Sequence, residues 1–210
     1  MKYFTDRRDA GKRLASALER YAGRRDTIVL GLPRGGVAVA YEVARGIGAP
    51  LDLLLVRKLG VPGQEELAMG AIASGGIRVL NDDVVRIAGI TPEEIAAVES
   101  REQRELERRE RAYRGERPPP DLRGRTVVLV DDGLATGATM RAAVHAARSL
   151  GAVRIVVAVP GAPAETAESI SREADEFVVL AVPEPFCSVG TMYETFAQVA
   201  DQEVRGFLAA

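Results

Sequence analysis

The stretch Val127-Val-Leu-Val-Asp131-Asp132-Gly-Leu-Ala-Thr136-Gly137-Ala138-Thr139 decides the fold and the site of this chain. It opens with a short apolar run that predicts a buried strand, and a helical pattern begins near Ala138. Two adjacent carboxylates follow the strand directly. The sequence therefore predicts a strand-loop-helix unit with paired acids at the carboxyl end of the strand.

The loop of this unit has the composition of an anion site. Gly137 lets the backbone approach a ligand closely, and the free N–H groups of a first helical turn favour a phosphate. Thr136 and Thr139 can add hydroxyl groups. At the other end, Asp131 and Asp132 favour hydroxyl groups or a cation, so the pattern fits a 5-phosphoribose. The stretch is not a P-loop, because it contains no Gly-Lys-Ser/Thr.

The same alternation of apolar runs and helical patterns recurs along the chain. Continuous rather than alternating apolar runs indicate strands that are covered on both faces. We therefore predict a single α/β domain over residues 1–210, with a doubly wound, mainly parallel sheet flanked by helices. The predicted strands are 27–31, 51–56, 126–130, 154–159 and 176–182, and the predicted helices 8–21, 36–47, 138–150 and 163–174.

Two parts of the chain depart from this alternation. The first is an insertion at about 59–120, with a turn-rich loop at 60–70, a hairpin at 68–80 and a charged helix at 91–114. The helix has Thr91 as its N-cap and only a thin apolar stripe, which favours a solvated or subunit-contacting helix and a possible homodimer. The second is a C-terminal hood at about 183–210, where Tyr193 and Phe196 are predicted to be core residues.

Composition excludes several classes of function. The formal net charge is −2, and no apolar run approaches the length of a membrane span. We therefore expect no nucleic-acid partner and no membrane association, and the N-terminus lacks the pattern of a secretory signal. One cysteine and one histidine leave few ligands for a transition metal. The default expectation is a cytoplasmic protein that binds a small molecule.

The quoted stretch resembles the hallmark of the type I phosphoribosyltransferases, an apolar strand followed by two acids and a Thr-Gly-x-Thr loop. This resemblance implies an enzyme that uses 5-phosphoribosyl diphosphate and Mg²⁺ to transfer phosphoribosyl to a nitrogenous base, with release of pyrophosphate. Asp131 and Asp132 would then orient the ribose hydroxyls, directly or through water on the metal. The 5-phosphate would lie against Ala135, Thr136, Gly137, Ala138 and Thr139.

Three further positions follow from the resemblance. The loop of Arg34, Gly35 and Gly36 matches the pyrophosphate loop, which often carries a cis peptide in that family. Lys58, predicted at the end of the second parallel strand, would contact the same pyrophosphate. Phe186 is a candidate for stacking on the base, with an ordinary hydrophobic plug as the alternative. The turn-rich loop at 60–70 falls where related enzymes carry a mobile loop.

One departure leaves the acceptor open. The hypoxanthine-guanine enzymes place an aspartate immediately before Thr-Gly, and this chain has Ala135 there. A 6-oxopurine acceptor is therefore not indicated. The alternative hypothesis is a non-catalytic nucleotide or phosphoribosyl diphosphate sensor with the same fold.

Overall fold

The computed structural model describes residues 2–115 and 117–210, so that Met1 and Glu116 of the predicted single domain lie outside the described residues. Its core is a five-stranded parallel sheet with the strand order β2-β1-β6-β7-β8. These strands are β1 Thr27–Gly31, β2 Leu51–Leu53, β6 Thr126–Val130, β7 Arg154–Gly161 and β8 Glu176–Ala181. The predicted fold class is confirmed.

Helices cover both faces of this sheet, and alternate residues of each strand supply the two cores. The helices α1 (Arg7–Ala17) and α2 (Gly35–Ile47) pack on one face, where Val29, Val128 and Val156 point. The helices α5 (Ala138–Ser149) and α6 (Ala164–Glu173) pack on the other, against neighbours such as Leu129 and Val157. Every residue of β1 and of β6 is buried, as the continuous apolar runs predict.

A second sheet stands beside the first. It is antiparallel, in the order β3-β4-β5, and comprises β3 Val56–Val61, β4 Gln64–Ala73 and β5 Ile77–Leu80. The hairpin predicted over 68–80 is confirmed, since Ala73 pairs with Ile77 and Gly70 with Leu80.

Two boundary predictions in this region are wrong. The run 51–56 is not one strand, because β2 ends at Leu53 and β3 starts at Val56 in the other sheet. Residues 60–70 are not an irregular loop, because Val61 pairs with Gln64 across a tight turn and the flanking residues join β3 and β4. Gly63 supplies the turn with a positive φ of 77°, and its turn chemistry suits a hairpin as well as a loop.

The long helix α4 (Pro92–Arg114) confirms the predicted bounds and cap. Thr91 and Glu94 form a capping box. Its predicted apolar stripe is buried within the chain itself, where Leu106 and Tyr113 pack with Leu59 of β3 and Val204 of α7 (Asp201–Ala209). The small sheet and α7 therefore cover the apolar stripe within the chain, and contact of the helix with a second subunit stays a prediction. The short helix α3 (Asp82–Ile87) was not predicted.

Candidate functional site

The candidate site lies where the chain order of the sheet reverses. From β1 the chain proceeds to β2 on one side, and from β6 it proceeds to β7 and β8 on the other. β1 and β6 are neighbours in register, with Gly31 paired to Val130. The loops after these two strands therefore leave the sheet side by side at a topological switch point, the usual ligand position in such sheets.

Asp131 and Asp132 leave β6 at this point, and both are half-buried. Asp131 Oδ1 accepts a hydrogen bond of 2.8 Å from the backbone N–H of Asp132. Asp132 Oδ2 accepts one of 2.8 Å from Arg7 Nε, and the Tyr193 hydroxyl donates to the backbone carbonyl of Asp132 at 2.6 Å. The second acid is thus held from three directions.

The electrostatics of this pair follow from its burial. Burial first, and the neighbouring Asp132 second, raise the pKa of Asp131 well above its ordinary value. Burial also raises the pKa of Asp132, although the Arg7 guanidinium opposes the shift. Two adjacent carboxylates in a poorly hydrated place repel each other, so a cation or donor hydroxyls would relieve them.

The glycines of the neighbouring loop make room for these acids. A Cβ atom on Gly35 would lie 1.9 Å from Asp132 Oδ2, and one on Gly36 would lie 2.8 Å from Asp131 Cα. The two loops therefore pack against each other as one unit. The resemblance places both glycines in the pyrophosphate loop, and the structure adds close packing against the acidic pair.

The predicted phosphate loop lies between Asp132 and the start of α5. Gly137 is the N-cap residue of α5, with a positive φ of 74° and no capping side chain. Ala135, Thr136 and Thr139 are exposed, so the loop is open to solvent. A hydrogen bond from α6 holds the loop backbone in place, because Thr166 Oγ1 donates to the carbonyl of Ala135 at 2.7 Å.

A second tie holds the same loop. Arg141 Nη2 donates to the carbonyl of Thr136 at 2.7 Å, and Nη1 donates to Ser169 Oγ at 3.2 Å. A helix start without a side-chain cap leaves backbone N–H groups free to bind an anion. The structure thus provides a helix N-terminus whose N-cap residue has no capping side chain, as the sequence predicts. The N–H of its first residue, Ala138, donates to Thr136 Oγ1 at 3.4 Å.

Arg34 precedes α2 as its N-cap residue, in the loop beside the acids. The peptide between Pro33 and Arg34 is cis, in agreement with the resemblance. The Arg34 side chain is partly exposed, and its Nη1 lies 3.7 Å from Asp201 Oδ1 at the start of α7. The Tyr113 hydroxyl donates to the same carboxylate oxygen at 2.9 Å.

The structure corrects the placement of Lys58. This residue does not end a strand of the parallel sheet, because it lies inside β3 opposite Ala71 in the antiparallel sheet. The error follows from reading 51–56 as one strand. Contact of Lys58 with pyrophosphate stays a prediction.

The hood contains three aromatic residues with different environments. Phe186 is half-buried and packs against a cluster that contains Phe4, Met192 and Tyr193, so that its stacking on a base stays a prediction. Tyr193 is fully buried, as predicted. Phe196 is 40% exposed, so its prediction as a core residue is wrong, and the stretch from Tyr193 to Phe196 is extended or irregular rather than helical.

Sequence reasoning missed Arg7 altogether. Its guanidinium pairs with Asp132 and lies 3.9 Å from the centroid of the Phe196 ring. The available signal was weak: an arginine in the first turn of a helix, where the dipole favours acids. Nothing in the sequence shows that α1 begins beside the carboxyl end of β6.

Two cavities lie away from these loops. One of about 510 Å³ is lined by residues of α1 and α2, including Arg8, Lys12 and Glu42. The other, of about 180 Å³, lies at the end of α4 around Arg111 and Arg114. None of the helices in the described parts of the chain has the length and apolar character needed to cross a membrane.

Comparisons with known proteins agree with this fold. The family model of the phosphoribosyl transferase domain matches residues 5–184. The chain therefore belongs to the phosphoribosyl transferase family, and it carries the fold of these transferases.

Two relatives are similar to this chain over nearly its whole length. A Mycobacterium tuberculosis protein, Rv0571c, bears the name of a presumed phosphoribosyl transferase and is 51% identical over 208 residues, which are 99% of this chain and 47% of that protein. This chain thus spans about half of its curated relative. The crystal structure of the protein TT1426 from Thermus thermophilus is 45% identical with a TM-score of 0.90, and the match covers 99% of this chain and 98% of that one.

A more distant structure shares the fold alone. A hypoxanthine-guanine phosphoribosyltransferase from Bacillus anthracis is 14% identical with a TM-score of 0.50, and the match covers 92% of this chain and 93% of that chain.

Proposed function

We propose that this protein uses 5-phosphoribosyl diphosphate and Mg²⁺ to transfer the phosphoribosyl group to a nitrogenous base, with release of pyrophosphate. One observation carries the proposal. The paired acids at the end of β6 lie a few residues before the open N-terminus of α5, within one loop tied down by Thr166 and Arg141. Such a loop offers acceptors to ribose hydroxyls at one end and N–H donors to a phosphate at the other.

The residues fit the metal. Mg²⁺ is typically bound by one or two carboxylates together with water and ligand phosphates, without a full protein cage. Asp131 and Asp132 offer such a pair, and the described residues contain no group of three or more acid, histidine or cysteine side chains that could hold an ion alone. When bound, the ion would supply positive charge that neutralises the diphosphate.

The chain's own residues would then position the sugar. Asp131 and Asp132 accept hydrogen bonds from the ribose hydroxyls, and the backbone of residues 135–139 holds the 5-phosphate. Arg34, beside the acids in the first loop, donates to the departing pyrophosphate, whose charge grows as the glycosidic bond breaks. The mechanism requires no protein nucleophile, because the acceptor nitrogen attacks the anomeric carbon.

Release of pyrophosphate tests the activity. The protein would be incubated with 5-phosphoribosyl diphosphate, Mg²⁺ and a panel of purines, pyrimidines and pyridines. Asp131→Asn and Asp132→Asn should abolish release, whereas Asp121→Asn, an exposed acid paired with Arg123, should leave it unchanged. Release that persists in both site variants would contradict the proposal.

A second candidate is a sensor that binds the same ligand without turnover. The exposed Ala135 favours it, because this position offers no carboxylate to assist a base. Calorimetry separates the two candidates, since a sensor binds the diphosphate but releases no pyrophosphate with any base. No binding of the diphosphate would contradict both.

Other expectations stay predictions. They are a homodimer, a cytoplasmic location and contact of Phe186 with the acceptor. The acceptor itself is unassigned.

A further inference from the structure

Arg7 lies where three parts of the site meet. Its Nε donates to Asp132 Oδ2 at 2.8 Å, and its Nη1 donates to the carbonyl of Ala197 at 2.6 Å. The guanidinium carbon Cζ lies over the Phe196 ring, 3.9 Å from its centroid. Gly35 is close as well, because a Cβ atom there would be 3.0 Å from Arg7 Nε. The side chain is only 12% exposed.

Neither the helix dipole nor the capping of α1 explains an arginine at this position. Arg7 is the first residue of α1, where the helix dipole disfavours a positive charge. The start of the helix is already capped, since Asp6 Oδ1 accepts from the N–H of Asp9 at 2.8 Å. The cation is therefore stabilised by its contacts across the site and not by α1.

The backbone places Arg7 against the hood. Residues just before α1 run beside residues 192–195. The N–H of Glu194 donates to the carbonyl of Phe4 at 2.8 Å, and that of Thr195 donates to the carbonyl of Thr5 at 2.9 Å. The phosphoribosyl transferase family model ends at residue 184, so the hood side of this contact lies beyond the matched region.

We propose that Arg7 is a positioning residue that couples the sugar side of the site to the acceptor side, by tying Asp132 to the hood at residues 193–197. This inference rests on the function proposed above, and it adds the residue that links the two sides of the site. Arg7 occupies one oxygen of Asp132, and a carboxylate has about four lone-pair positions. Asp132 can therefore accept from a ribose hydroxyl while Arg7 fixes its orientation.

The coupling has a direct consequence. The planar guanidinium donates along its edge to Asp132 and Ala197 while its face covers Phe196. A change at the acid, such as the arrival of a sugar, is therefore transmitted to the exposed ring of the hood. The hood and the ribose site should become ordered together.

Hydrogen exchange in the ligand-free protein tests this coupling. The reporters are the N–H groups of Glu194 and Thr195. Arg7→Gln and Asp132→Ala should each speed their exchange about tenfold, on the order expected when one charge-assisted hydrogen bond is lost. The double variant should exchange no faster than either single variant, because both remove the same link.

The controls are matched to each change. Arg8→Gln removes the next arginine of α1, which is exposed and pairs with Glu42. Asp121→Ala removes an exposed acid that pairs with Arg123. Both should leave the reporter amides unchanged. Unchanged exchange in Asp132→Ala would overturn the proposal, because Arg7 would then anchor the hood without connection to the acid.

Adding 5-phosphoribosyl diphosphate with Mg²⁺ gives a second measurement. Exchange at the same amides should slow in the wild type, and Arg7→Gln should lose most of this slowing even at saturation. If the wild type fails to bind the diphosphate, the proposed function fails. The ligand-free comparison of Arg7→Gln with Asp132→Ala still decides the coupling.

Discussion

Gly35→Ala tests the contact between the two loops most sharply. Gly35 is in the first turn of α2, with an ordinary backbone conformation, so alanine there should by itself stabilise the helix by about 0.5–1 kcal/mol. The surroundings reverse this expectation. The added Cβ would lie 1.9 Å from Asp132 Oδ2, so the two atoms must separate by 1.1 Å to reach the 3.0 Å below which real contacts essentially never occur.

The cost can be estimated from what the carboxylate loses. A shift of that size breaks its hydrogen bond with Arg7, which is worth about 1.5–3 kcal/mol as a charge-assisted bond. After the gain in helix propensity, we expect a net loss of about 1–2 kcal/mol in the free energy of unfolding. For a domain of this size, the Tm should fall by roughly 2–8 °C.

The matched control is Gly206→Ala in α7. This helical glycine is exposed, and an added Cβ atom would meet nothing within 4 Å. Its Tm should rise by a few degrees, because only the propensity effect remains. Scanning calorimetry gives both Tm values. Titration calorimetry should show that Gly35→Ala binds 5-phosphoribosyl diphosphate more weakly than the wild type does. A Gly35→Ala protein with wild-type Tm and affinity would refute the packing of the glycine loop on Asp132.

Three further predictions concern stability. Burial raises the pKa of Asp131, so the folded protein retains a proton that the unfolded chain releases. Stability should therefore fall as the pH rises from about 3.8 through the folded pKa. Asp131→Asn should flatten this slope in denaturant titrations, and an unchanged slope would contradict the prediction. Leu106→Ala, at a side chain 1% exposed, should cost about 2–5 kcal/mol in urea unfolding, whereas a cost under about 1 kcal/mol would show that α4 does not pack in its own chain. Thr91→Ala should cost about 0.5–2 kcal/mol through loss of the capping box, and equal stability would argue against that cap.

The sequence predicts the parallel sheet well, for a clear physical reason. Strands covered on both faces must be apolar along their whole length, so β1 and β6 are visible as continuous runs. The acidic pair follows β6 directly, and Gly137 lies a few residues further along the same loop. Their arrangement depends on local backbone geometry, which a short motif specifies.

The parts that could not be predicted depend on distant contacts. The contact of Arg7 with Asp132 joins residues 125 apart in sequence, and that with Ala197 joins residues 190 apart. Lys58 was misplaced because an apolar run does not reveal that the chain leaves one sheet at Leu53 and enters another at Val56. The burial of the α4 stripe could not be predicted, because its cover comes from the small sheet and from α7, which are distant from it in sequence.

A crystal structure with 5-phosphoribosyl diphosphate and Mg²⁺ tests the central claim most directly. We expect the 5-phosphate within hydrogen-bond distance of the backbone N–H groups of residues 136–139, and the ribose hydroxyls at Asp131 and Asp132. The diphosphate should reach the loop of Arg34 and Gly35. A phosphate bound elsewhere, with both carboxylates out of reach of the sugar, would contradict the account.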